Sequence, residues 1–190
     1  MRIVLLGPPG AGKGTQAVRL AKNLNIPHFS TGEMLRAEAA EGTELGRKAQ
    51  AIMERGELLP DMVIMDVMGH VLAKKECGAG YLLDGFPRTL GQARALDSLL
   101  QERRESLDHV PFLKVQKEEL VTRLLGRARK DGRSDDTKEV ISRRLEVYNT
   151  ETRPVVEFYR SRGILMEIEG EGSPDDVFQR LRSAVGKRVA

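Results

Sequence analysis

Short apolar runs at 3–6, 81–83, 111–115 and 164–168, with a weaker one at 27–29, recur along the chain with stretches of helical spacing between them. Such alternation predicts an α/β fold with a parallel sheet covered by helices on both faces. The first helix is expected over 13–24, where Ala17, Leu20, Ala21 and Leu24 share one face. Two short helical patterns, 33–40 and 44–55, are broken by Glu41 and Gly42 and ended by Gly56, which reads as a helical insertion within 30–59. Pro60 and Asp61 restart a helix through Val63, Ile64, Val67, Met68, Val71 and Leu72, and Met62, Met65 and Met68 are read as packing residues. The stretch 126–136 is too polar to pack and predicts a flap. Asp136, with Glu139 three positions on, is read as a capping box for the next helix, which Pro154 should kink or interrupt.

In parallel sheets of this kind ligands bind beyond the carboxyl ends of the strands. Three polar segments begin at those ends: Gly7 to Thr15, Ser30-Thr31-Gly32, and Asp84-Gly85-Phe86-Pro87-Arg88. They are expected to converge on one crevice. The first, Gly7-Pro8-Pro9-Gly10-Ala11-Gly12-Lys13-Gly14-Thr15, has the composition of a phosphate cradle. Its glycines let consecutive N–H groups turn inward, Lys13 adds a mobile charge, and the following helix starts its dipole under the phosphates. The general P-loop pattern wants a hydroxyl directly after the lysine to hold Mg²⁺. Here that place is Gly14, and Thr15 comes one residue late. The expectation is therefore a metal held mainly by nucleotide and water, and not a GTPase-like switch.

Composition adds limits. A chain of 190 residues fits one domain, 1–190, and with 4% aromatic residues and no Trp its core must rest on Leu, Ile, Val, Ala and Met. The net charge of +3, from 31 basic and 28 acidic residues, is too balanced to imply nucleic acid. No basic stretch is interleaved with stacking aromatics. Cys77 is the sole cysteine, so an intrachain disulfide and a thiolate zinc cluster are excluded by counting, and a reduced, cytoplasmic setting is expected. Cys77 lies in a polar connection and reads as an incidental free thiol. No apolar run has the length of a signal peptide or membrane span, so no membrane partner is expected. His28, His70 and His109 are scattered without triad-like partners.

Together, the glycine loop, Ser-Thr-Gly-Glu-Met-Leu-Arg at 30–36, Leu-Leu-Asp-Gly-Phe-Pro-Arg-Thr at 82–89 and the arginine-rich flap resemble the adenylate kinase family of nucleoside monophosphate kinases, in its short-lid form. The resemblance covers essentially the whole chain. It implies a P-loop three-layer αβα kinase core with a five-stranded parallel sheet, a monophosphate-binding insertion near 30–59 and a lid near 126–136, and no zinc. The implied activity is reversible phosphoryl transfer from MgATP to AMP giving two ADP, a step of nucleotide biosynthesis, with Mg²⁺ as cofactor and a monomer as the default state. Gly10, Ala11, Gly12, Lys13, Gly14 and Thr15 would hold the ATP phosphates, Arg123 would lie against the adenine of ATP, and Gly172 would present backbone to that base. Thr31, Arg36, Gly85, Phe86, Pro87 and Arg88 would hold AMP, with Glu57, Leu58 and Leu59 lining its base pocket. Arg127 would reach the ATP phosphates, while Arg133 and Arg144 would bridge donor and acceptor. Catalysis would thus rest on Lys13, Arg88, Arg127, Arg133 and Arg144. Asp84 would hold waters of Mg²⁺, and Asp135 and Asp136 would tie the lid arginines. Arg129 and Lys130 are read as solvated surface charge.

The residue types suit the task, because two polyanions must meet in line and the barrier is lowered mainly by positioning and fixed positive charge. The resemblance implies that Gln92 is the adenine reader, and its amide offers both a donor and an acceptor for that base. The alternatives are a UMP/CMP kinase, whose relatives are often Asn-rich after the Phe-Pro-Arg segment, and an acceptor-independent P-loop NTPase switch. A catalytically silent nucleotide-binding module would be expected to lose the arginines.

Overall fold

In the computed structural model, which describes residues 1–131 and 136–186, the strands are β1 (Arg2–Leu5), β2 (His28–Ser30), β3 (Tyr81–Asp84), β4 (Val110–Lys114) and β5 (Leu165–Glu169). Each falls within two residues of an apolar run in the sequence. They form two parallel ladders, ordered β2–β3–β1 and β4–β5. The expected continuous sheet of five strands is therefore divided. β1 and β4 meet only at isolated parallel bridges, Ile3 with His109 and Leu6 with Phe112. The cause is local. Leu6 N donates to Pro111 O at 2.8 Å and Leu113 N donates to Leu6 O at 2.9 Å, so the odd positions of β4 face β1. A donor at 111 would be the next rung of that ladder, and proline has none.

Helices α1 (Lys13–Leu24), α2 (Thr31–Ala40), α3 (Glu44–Glu54), α4 (Asp61–Leu72), α5 (Leu90–Glu102), α6 (Lys117–Asp131), α7 (Lys138–Val147), α8 (Arg153–Arg160) and α9 (Pro174–Val185) complete the described residues. Strand alternation divides the core. Ile3 and Leu5 of β1 pack with α1, α6, α7 and α9 through Ala17, Leu20, Leu124, Leu145 and Leu181. Val4 and Leu6 point the other way, toward Met68 of α4, Leu96 of α5 and Val155, Val156 and Tyr159 of α8. Both faces of the strands are thus covered, which is why they read as unbroken apolar runs.

Several expectations are corrected. Met62 is 85% exposed and takes no part in the core, whereas Met68 is fully buried. Met62 sits one position beyond the start of α4, on its solvent side. Cys77 is buried in a short 3₁₀ turn, Lys75–Ala79, and its Sγ donates to Val71 O. The first half of the expected flap is helical. α6 runs to Asp131 because Leu120 and Leu124 anchor it and Arg127, Ala128 and Arg129 are good helix formers. Residues 132–135 lie outside the described part. Helix α7 is capped by Thr137, whose side chain accepts from Val140 N, and not by Asp136, which is buried instead. Pro154 does interrupt the helix: a π-helical turn, Tyr148–Thr152, precedes it, and it stands in the first turn of α8.

Within the insertion, α2 and α3 fold on each other through Gly46. A Cβ there would lie 2.2 Å from the backbone C and O of Glu38. Gly46→Ala is expected to destabilise the protein by ~3 kcal/mol, since backbone cannot yield as a flexible side chain would. Urea unfolding of the two proteins measures this, and an unchanged midpoint would mean that the helices do not pack this closely.

Candidate active site

The cradle is built where β1 ends. Gly12 caps α1 with φ 88°, and Gly10 has φ 83° with Leu120 O and Leu124 Cγ only 2.9 Å from where its Cβ would stand. Both positions therefore suit only glycine. Lys13, the first residue of α1, folds back so that its Nζ donates to the carbonyls of Gly7 (2.8 Å) and Pro8 (3.0 Å). Lys13, Gly14, Thr15 and Gln16, the first turn of α1, line the cleft.

The segment after β3 forms the opposite wall. Thr31, in the first turn of α2, donates its hydroxyl to Gly85 O at 2.8 Å, and Arg88 Nε donates to the same carbonyl at 2.8 Å. Gly85 has φ +79°, and a Cβ there would stand 2.8 Å from Thr31 Oγ1. Thr152, in the π-helical turn, holds Arg88 from behind by donating to its carbonyl at 2.8 Å. Thr89 caps α5 by accepting from Gln92 N.

The third wall comes from α6 and α7. Asp136, whose side chain has 0% exposure, accepts from Arg127 at both oxygens (2.6 and 2.8 Å) and from Arg144 Nη1 (2.7 Å). One carboxylate thus joins the two helices and aims two guanidinium groups. Arg123 is held by Glu119 (2.7 Å) and by Gly170 O (3.1 Å).

These walls enclose a cleft of about 610 Å³. Gly10, Ala11, Gly12, Lys13, Gly14, Thr15, Arg36, Glu57, Leu58, Asp84, Gly85, Phe86, Pro87, Arg88, Arg123, Arg127, Arg144 and Gly172 line it. Thr31, Leu59 and Gln92 line an adjoining pocket of about 40 Å³ that shares Glu57, Leu58, Gly85 and Arg88 with the cleft. Arg133, Asp135 and the side chain of Lys130 lie outside the described residues. Arg129 is exposed, as read from the sequence.

Positive charge is crowded here. Burial lowers Lys13 to about 8; nearby Asp84 opposes this, and Arg88, Arg144 and Arg127 add to the lowering. Burial, with Arg144 next, likewise pushes Arg88 down to about 10. A cleft whose cations depress one another is built for a polyanion, which relieves the repulsion on binding.

The family model described as adenylate kinase matches residues 5–164. The chain belongs to the adenylate kinase family. It is 48% identical to an adenylate kinase of Stenotrophomonas maltophilia strain K279a, over 97% of this chain and 99% of that one. An adenylate kinase of Thermus thermophilus is 50% identical over 97% of this chain and 96% of its own length. Another, of Xanthomonas campestris pv. campestris strain 8004, is 48% identical over 98% of this chain and all of its own.

Sequence reasoning missed several residues of the site. Glu119, Tyr148 and Thr152 line the cleft, and Asp61 braces Gln92 with a 2.8 Å hydrogen bond. Tyr148 and Thr152 carry no motif. Their placement follows from the π-helical turn, of which Pro154 is the only sign. Gln16 is buried with its Nε2 on Pro174 O, tying the cradle helix to α9. Among the described residues no group of three or more His, Cys, Asp or Glu is arranged to hold a metal ion, and no helix is long and apolar enough to cross a membrane.

Because its folded pKa lies below the ordinary 10.5, Lys13 binds fewer protons folded than unfolded between about pH 8 and 10.5. The cost of burying its charge is present below pH 8 and is relieved as pH rises through that window. An NMR titration of the Lys13 amine is expected to give a midpoint near pH 8, shifted lower still in Asp84→Asn. A midpoint at the ordinary lysine value would contradict this.

Proposed function

We propose that this chain catalyses reversible phosphoryl transfer between ATP and AMP, giving two ADP. The observation that carries the reading is the convergence on one cleft of the cradle, Lys13 and the arginines 36, 88, 123, 127 and 144, with a separate small pocket beside Arg88. A triphosphate on the cradle would take hydrogen bonds from the amides of 10–15 and from Lys13, which need only leave the carbonyls of Gly7 and Pro8. Arg123 would lie against the donor base, near the backbone of Gly172. A monophosphate opposite would meet Arg36 and Arg88, with its base in the pocket lined by Thr31, Leu59 and Gln92.

In the transfer, an α-phosphate oxygen of AMP bonds to the γ-phosphorus of ATP as the bond from that phosphorus to its β-bridging oxygen breaks. The electron pair of the broken bond stays on the ADP that leaves. Bare, the two phosphates repel. Lys13, Arg88, Arg127 and Arg144 offset that repulsion and stabilise the charge spread over the transferring oxygens. Arg127 and Arg144 are already aimed by Asp136, so little reorganisation is needed when substrate arrives. Arg133 is assigned the bridging role that the family resemblance implies for it.

Asp84 fits a metal held through water. It is 7% exposed at the end of β3, its charge acts on Lys13 and Arg88, and its Oδ2 lies 3.7 Å from where a Cβ of Gly14 would be. Gly14 thus leaves room beside the carboxylate for a hydrated cation. Mg²⁺ bound there with ATP would neutralise phosphate charge. The segments 30–59 and 126–136 act as the monophosphate-binding insertion and the lid, and lid closure excludes the water that would otherwise hydrolyse ATP. The bridges between β1 and β4 support reading the strands as one mechanical layer.

A coupled assay with ATP and each monophosphate tests the proposal: AMP is expected to support ADP formation far better than CMP or UMP. Transfer to CMP or UMP but not AMP would replace it with a pyrimidine kinase, and turnover independent of any acceptor would replace it with an NTPase. Arg88→Ala should cost about 10³-fold or more in transfer rate while the circular dichroism spectrum stays that of a folded protein. Unchanged turnover would remove Arg88 from the mechanism.

A further inference from the structure

Asp61, the first residue of α4, reaches across to the start of α5. Its Oδ1 accepts from Gln92 Nε2 at 2.8 Å and its Oδ2 accepts from Thr89 Oγ1 at 2.7 Å. On its other side the Gln92 amide oxygen accepts from the backbone N–H of Arg88 at 2.8 Å. A carboxylate only accepts and a backbone N–H only donates. The two partners therefore lock the amide in one orientation, without the ambiguity that usually attends the oxygen and nitrogen of a glutamine. A flipped amide would set oxygen against carboxylate and N–H against N–H. Gln92 is only 2% exposed, so solvent is not at hand to relieve that clash. Asp61 is itself wedged in place: a Cβ on Gly91 would lie 2.5 Å from its Oδ2.

We propose that Asp61 is a positioning residue that fixes the polarity with which Gln92 meets the acceptor base, and so sets the preference for a base with the donor and acceptor order of adenine. The proposal rests on the reading of Gln92 as the base reader. With one N–H given to Asp61 and one lone pair to Arg88, the amide retains one donor and one acceptor for the small pocket it lines. Adenine presents an amino donor at position 6 and an acceptor at N1, which such an amide satisfies. Hypoxanthine has the same size but the reverse order, a carbonyl at position 6 and a proton on N1. It is satisfied only by the other assignment of donor and acceptor, or by a water between. A free amide serves both by turning over. A locked one discriminates between them.

The test compares AMP with inosine monophosphate as acceptor, measuring kcat and KM at saturating ATP for the unaltered protein, Asp61→Ala, Asp61→Asn and Gln92→Leu. Asp61→Ala is expected to raise the KM for AMP about tenfold with little change in kcat, and to lower the AMP preference in kcat/KM about tenfold, the scale of one hydrogen bond. Asp61→Asn presents either an amide N–H or an oxygen to Gln92, so its preference should fall by a smaller factor, about threefold. Gln92→Leu should lower it most. If both Asp61 variants keep the original preference while Gln92→Leu loses it, the positioning role is overturned and the base-reading role stands. A preference unchanged in Gln92→Leu overturns the base-reading role itself. An equal loss for both acceptors in Asp61→Ala would mark Asp61 as merely structural and also overturn the proposal. If Asp61→Ala fails to fold, the near-isosteric Asp61→Asn decides.

Discussion

Lys13 lies half-buried near Arg88, Arg127 and Arg144, close enough that desolvation and their charges lower it to about 8 even with Asp84 drawing it back. Like charges held so close must be anchored by the rest of the molecule, or they would turn outward to water. Each anchor comes from a different element. The carbonyls of the glycine loop hold Lys13, the Gly85 carbonyl at the end of β3 holds Arg88, and Asp136 between α6 and α7 holds Arg127 and Arg144. The stored repulsion is what a bound polyphosphate relieves. Part of the free energy of folding is thereby retained as binding energy, and a chain without those anchors would have neither the cleft nor the arginines in it.

The scaffold serves these anchors. β1 and β3 run side by side in parallel register, from Arg2 opposite Tyr81 to Leu5 opposite Asp84, so the cradle and the Asp84 segment emerge on the same side of the sheet. β2 is in register with β3 up to Ser30 opposite Asp84, which brings Thr31 beside Gly85. The convergence of three polar segments follows from the rule that parallel strands end together.

That convergence was legible in the sequence, because apolar runs and glycine loops obey local rules. The strands, the bounds of α1, and the placement of Gly10 to Thr15 and of Arg88 all follow from them, while Gln92 was assigned through the family resemblance. What was not legible depends on partners distant in the chain. Asp136 looks like a cap by spacing alone; the resemblance gave it to the lid arginines, and the fold shows that Arg127 and Arg144 reach it from separate helices. Met62 satisfies a buried pattern on paper, yet lies on the solvent side of α4. Pro111 sits in an apolar run and gives no warning that its missing N–H falls on the β1 side. Asp61 reads as a helix start, but its bond to a residue 31 positions on is a tertiary fact.

The π-helical turn at Tyr148–Thr152 has a consequence beyond holding Arg88. An α-helix advances about 100° per residue, and a π turn takes up an extra one, so the rod that follows is rotated out of phase with the rod before it. Before the turn, Ile141 and Leu145 join the layer of α1 and α9. After it, Val155, Val156 and Tyr159 join the layer of α4 and α5 on the far face. A single near-continuous helix thus changes gear partway along and stitches the two halves of the core together. Deleting one residue from the turn would restore regular helix and lose that stitch, turning one of the two apolar stripes toward the wrong neighbours.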